Sequence, residues 1–97
     1  MITELKKVNM ITELKKDIEY NFDLDVFLDS WNRIWIDYND FKFYIIIFDS
    51  GQYYLSAKNI DHFIDDNFVC DDSMVILYYL LKHCKAVHKW GDFKNLN

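Results

Sequence analysis

Cys70, His83, Cys84 and His88 form the one group of soft metal ligands in this chain. Cys84 and His88 stand four apart, so on a helix they would face the same way and could touch one ion. Zinc sites normally combine two close ligand pairs, and here the first pair is missing. Cys84 also falls on an apolar stripe, where a small buried thiol needs no further role. Among the carboxylates, Asp23, Asp25 and Asp29 loosely resemble a calcium loop but lack its sixth-position glycine and its terminal glutamate. Asp61, Asp65 and Asp66, with Asp71 and Asp72 just beyond, would serve a metal nuclease only if they converged from separate elements beside a basic group. Ser30, Ser50, Ser56 and Ser73 lie in no nucleophile elbow. Gly51 and Gly91 stand alone, so there is no phosphate-cradling loop. A Cys70–His62 pair is no more than chance supplies. The expectation is a protein with no catalytic residue, no metal and no cofactor, hence not an enzyme.

The elements that carry these residues belong to one small domain. Ninety-seven residues leave no room for two cores, and 52% apolar with 19% aromatic content excludes a disordered chain. Proline is absent and glycine occurs twice, which argues against long linkers. The longest apolar run, Met74 to Leu81, falls far short of the ~20 residues a spanning helix needs. No secretory signal is legible, and two cysteines suit a reducing compartment. These features point to the cytoplasm and to no membrane.

Residues 1–7, MITELKK, recur unchanged as residues 10–16. A nine-residue offset is about 2.5 helical turns, so equivalent side chains of the two copies face opposite sides. Ile11, Leu14 and Ile18 form a stripe that the first copy does not continue. The packed helix is therefore expected to start near Met10, with residues 1–9 an N-terminal extension to a domain over residues 10–97.

Residues 23–32 carry two periods. Leu24, Val26 and Leu28 alternate with acids as in a strand, while Leu24, Phe27, Leu28, Trp31, Ile34 and Trp35 share one helical arc. Asp is a poor strand residue and a good N-cap, which favours a second helix. Three strands follow: the stretch RIWIDY, Phe41 to Phe48, and Gln52 to Lys58. Turns at Asn39-Asp40 and Asp49-Ser50-Gly51 join them. Asn59 would cap a short helix through Ile60, Phe63 and Ile64, with Asn67 at its left-handed end. A last helix starts at Asp71-Asp72-Ser73, runs along Ile76, Leu77, Leu80, Leu81, Cys84 and Val87, carries Lys82, Lys85 and Lys89 near its end, and closes at Gly91. The fold class is α+β: N-terminal helices, a three-stranded antiparallel meander, and C-terminal helices packed on the sheet.

Charge is unevenly spread over a net −5. Residues 17–72 hold thirteen acids against Arg33, Lys42 and Lys58, between two mildly basic ends. Such a field repels free nucleic acid and attracts basic surfaces. The aromatic strands could stack bases, but recognition sheets of that kind sit in basic surroundings. Binding to a protein fits better: carboxylates standing in for phosphates, with Tyr and Trp as anchors. The expected contact set is Asp23, Asp25, Asp29, Asp37, Asp61, Asp65 and Asp66, with Trp31, Tyr38 and Tyr53. Trp35, Tyr44 and Tyr54 are further aromatic candidates. A homodimer through a strand edge or the doubled N-terminus is a further expectation.

No motif ties the chain to a family. In character, short, acidic, aromatic-rich and without a catalytic signature, it resembles small phage and mobile-element proteins such as anti-CRISPR inhibitors. That resemblance of type implies a stoichiometric block of a basic defence nuclease or ribonucleoprotein, acting in the host cytoplasm. An immunity protein or antitoxin against a basic toxin has the same composition. A small metal-binding protein or enzyme built on Cys70, Cys84 and His88 is the third reading.

Overall fold

The computed structural model describes residues 1–88. Helix α1 (Glu4–Asn21) leads into a five-stranded antiparallel sheet: β1 (Asp25–Leu28), β2 (Ile34–Tyr38), β3 (Phe41–Ile47), β4 (Tyr53–Asn59) and β5 (Ile64–Cys70). Helix α2 (Ser73–His83) follows. Strand order is β1-β2-β3-β4-β5, an uninterrupted meander. Two layers result, with both helices on one face of the sheet.

Thr3 caps α1, its hydroxyl accepting from the Lys6 amide at 3.1 Å. The helix therefore starts six residues before Met10 and runs through both copies of the repeat. The two copies nevertheless turn opposite faces to the sheet, for Leu14 is 1% exposed and its counterpart Leu5 is 70% exposed. The first copy has contacts of its own. The Ile2 amide donates to the Asp49 carbonyl at 2.8 Å, and the Lys7 ammonium pairs with the Asp49 carboxylate. Both reach the β3–β4 hairpin, where Gly51 takes φ +89° under the Ile2 side chain.

The expected helix over 23–32 is absent. Residues 25–28 form β1, and its alternation of exposed and half-buried side chains is the strand period. Asp29 decides the matter. One carboxylate oxygen accepts from the Trp31 and Arg33 amides, at 2.8 and 3.0 Å, and the other accepts from Arg33 Nε and Trp35 Nε1. Asn32 takes the left-handed conformation that asparagine tolerates, with φ 59°. Together they close a hairpin where helical periodicity alone would continue the helix.

The short helix after Asn59 is likewise a strand pair. Residues 60–63 are the turn of a β4–β5 hairpin, and Asn67 sits inside β5. Ile60 and Phe63, spaced as if for packing, project almost wholly into solvent. Two unrecognised strands turn the expected three into five.

The core lies between Ile11, Leu14 and Ile18 of α1, Ile76, Leu77 and Leu80 of α2, and the inner sheet residues Ile34, Ile36, Phe43, Ile45, Leu55 and Ala57. Each Ile, Leu or Phe among these, fully buried, contributes roughly 1.5–3 kcal/mol. Asp72 caps α2 as its sequence suggested, accepting from the Met74 amide at 2.9 Å. The helix stops at His83, and buried Cys84 is its C-cap. Val87 leaves the stripe and bridges to Phe22, while the His88 amide donates to the Asn21 carbonyl at 2.9 Å. Lys89 and Gly91 lie outside the described residues. Among the described residues no helix is long and apolar enough to cross a membrane.

Candidate functional site

An antiparallel meander returns every second chain reversal to the same end of the sheet. One end here collects the start of β1, the β2–β3 turn and the β4–β5 turn. With them come Asp23, Asp25, Asp37, Asp40, Asp61 and Asp65, all exposed. Among the described residues Lys42 and Lys58 are the cations of that end on the outer face, and Lys42 Nζ pairs with Asp37 Oδ1 at 3.2 Å. On the helix side, Lys82 and Lys85 stand at and just past the end of α2.

The tip of the β4–β5 turn lies within this acidic end. Ile60 is 84% and Phe63 95% exposed, flanking Asp61 and His62. Phe63 holds φ 56°, a left-handed backbone that costs a bulky L-residue about 1–2 kcal/mol. The turn is braced by buried Asn59, whose Oδ1 accepts from the His62 amide at 3.2 Å. Folding gains nothing from a solvent-exposed aromatic on a strained backbone.

Among the described residues no helix covers the outer face of the sheet. Register aligns Phe27, Trp35, Tyr44, Ser56 and Asn67 across the five strands. Trp35 and Tyr44 pack at 4.6 Å between ring centroids, and Tyr44 meets Tyr54 edge-on at 6.5 Å. Arg33 lies over the Trp35 ring at 5.7 Å. Below the aromatic row runs a charged one: Asp25, Asp37, Lys42, Lys58 and Asp65. A shallow hollow of about 260 Å³ opens between the rows, lined by Trp35, Tyr44, Ser56 and the two lysines.

The expected contact residues separate accordingly. Asp23, Asp25, Asp37, Asp61 and Asp65 share the acidic end, and Asp40 joins them. Asp29 does not: it sits at the opposite end with its carboxylate committed to the β1–β2 turn. Burial alone would raise its pKa, but hydrogen bonds from Trp35, Arg33 and Trp31 outweigh that and hold it at about 2. Trp31 is exposed at the same far end. Tyr53 is a core residue, its phenol pKa raised first by burial, and it offers no anchor. Tyr38 is half-buried, its hydroxyl accepting from the Lys85 amide at 3.1 Å. Asp66 points to the helix side and accepts from the Tyr79 hydroxyl at 3.0 Å. Phe63, Ile60 and Phe27 were missed because a helical period assigned them to packed stripes. Strict alternation around Val26 and Leu28 was the available signal for Phe27.

The cysteines stand apart. Cys84 is buried, which pushes its thiol up to about 12, and burial also raises Cys70. Among the described residues no group of three or more His, Cys, Asp or Glu is placed to hold a metal ion. No family model matches the chain, and neither a curated protein nor a solved structure matches it.

Proposed function

We propose that this chain is a non-catalytic inhibitor that binds a basic nucleic-acid-processing protein, of the anti-defence type its composition resembles, through the acidic end of its sheet. The observation that carries the reading is Phe63: a large aromatic, almost fully exposed on a strained backbone, in the turn that carries Asp61 at the acidic end of the sheet. Interfaces of this kind pair an apolar anchor with a charged surround. Asp23, Asp40, Asp61 and Asp65 would occupy the sites where the partner holds phosphates, and Ile60 and Phe63 would enter an apolar pocket beside them. The block is steric and electrostatic, with one inhibitor per target and no turnover.

Titrating the chain into cleavage assays of purified basic nucleases and CRISPR ribonucleoproteins tests this. Activity should fall linearly to an end point at one equivalent, and binding should weaken steeply with salt as screening shortens from about 10 Å at 0.1 M to about 3 Å at 1 M. Asp40→Lys with Asp61→Lys should abolish inhibition, and Phe63→Asn should weaken it at least tenfold. Inhibition indifferent to all three substitutions would sink the reading, as would failure to inhibit any target in the set.

A further inference from the structure

We infer that the outer sheet face is a self-complementary interface, and that two copies of this chain pack face to face across it. The inference comes from the order of charges in one cross-strand row. Reading from β1 to β5, register places Asp25, Asp37, Lys42, Lys58 and Asp65 side by side. Over β1 to β4 the signs run minus, minus, plus, plus, and Asp65 on β5 adds a further acid beside Lys58. Like charges directly opposite on neighbouring strands are destabilising, and this row contains two such pairs, Asp25–Asp37 and Lys42–Lys58. Alternating signs would serve a lone sheet better. Among the described residues the one ion pair along the β1–β4 segment is Asp37 with Lys42.

The β1–β4 segment of the row is antisymmetric about the seam between β2 and β3. A twofold axis parallel to the strands at that seam reverses the order of strands and keeps their direction. It sets β2 over the partner copy's β3 and β1 over its β4. Two carboxylates then face lysines, Asp37 opposite the second copy's Lys42 and Asp25 opposite its Lys58, while Asp65 on β5 lies beyond the second copy's β1. The same operation lays Trp35 on the second copy's Tyr44, joining the aromatic rows. Sheets facing each other stand about 10 Å apart, a gap that lysine and aspartate side chains reach across together. The β1–β4 segment is about 14 Å wide, so the usual crossing of packed sheets displaces its ends by only a few ångströms, within the reach of the lysine stems.

The strand edges are poorer routes to a dimer. β1 offers four residues, and β5 carries Asp65, Asp66 and Asn67 in mid-strand, residues that blunt edge pairing. An axis along the strands also brings both acidic ends to the same end of the dimer. The consequence for inhibition rests on the reading above; the dimer itself does not.

Charge exchange tests the arrangement. Asp25→Lys with Asp37→Lys makes the β1–β4 segment all basic, and Lys42→Asp with Lys58→Asp makes it all acidic. Sedimentation equilibrium on the wild type should give twice the chain mass of 11.8 kDa. Each double variant alone should be a monomer with an unchanged circular-dichroism spectrum. Their equimolar mixture should re-form a one-to-one dimer. A wild type that stays monomeric at millimolar concentration overturns the inference. So does a wild-type dimer that both variants retain, which would point to a strand edge, or a mixture that fails to pair. Loss of the dimer with inhibition intact, or the reverse, separates this inference from the functional one.

Discussion

Leu5 and Leu14 occupy the same place in two identical heptapeptides on one helix. Truncating each to alanine should have unlike consequences. Leu14 is sealed against the sheet, and removing three carbons at about 0.8 kcal/mol each already costs roughly 2.4 kcal/mol. The cavity left behind brings the loss into the range of about 2–5 kcal/mol. Leu5 projects into solvent, and alanine is the better helix former, so Leu5→Ala should stay within about 0.5 kcal/mol. A domain of this size shifts its melting point by about 4–8 °C per kcal/mol, so Leu14→Ala should melt some ten degrees or more below wild type. Urea denaturation followed by tryptophan fluorescence measures both variants on one scale. Equal losses at the two positions would refute the claim that a nine-residue offset reverses the buried face, and with it the account of the repeat.

The remaining predictions concern turns and thiols. Gly51→Ala should destabilise by about 1 kcal/mol, because φ +89° is a backbone conformation that residues with a β-carbon rarely adopt. Phe63→Asn should leave stability unchanged or raised, since asparagine relieves the left-handed strain, while the inhibition proposed above weakens at least tenfold; a fall in stability would show the ring packs somewhere. Asp29 titrates at about 2 in the fold against an ordinary 3.8, so its contribution is complete above pH 3.8 and disappears as pH falls towards 2. The stability advantage of wild type over Asp29→Asn should therefore shrink across that window and be constant at neutral pH. In native protein a thiol reagent should label Cys70 slowly and Cys84 only on unfolding, since Cys84 is both buried and kept protonated.

Two stretches show where sequence reasoning stopped. Around Asp25 to Trp35 helical and strand periods coexist, and the helical one gathers more apolar residues. The choice falls to Asp29, whose four accepted hydrogen bonds exist only once Trp31, Arg33 and Trp35 have turned back over it. Around Ile60 to Ile64 the i, i+3, i+4 spacing is real, yet two of its three side chains face water. Periodicity reports which residues could share a face, and it is silent on whether anything covers that face.

By itself the sequence determined the elements with one consistent signal. These were the stripe of α1, the capped start of α2, the three central strands with their turns, and an acidic middle between basic ends. Those signals are local: capping, period and turn chemistry act within a few residues. Tertiary structure alone decided that Asp23, Asp40, Asp61 and Asp65 share one end, that Asp29 does not, and that Asp25, Asp37, Lys42 and Lys58 fall in one row. Such neighbours are made by strand register, and register is a property of pairs of strands closed by particular turns. Residues far apart in the chain become adjacent only after every intervening hairpin has set its pairing.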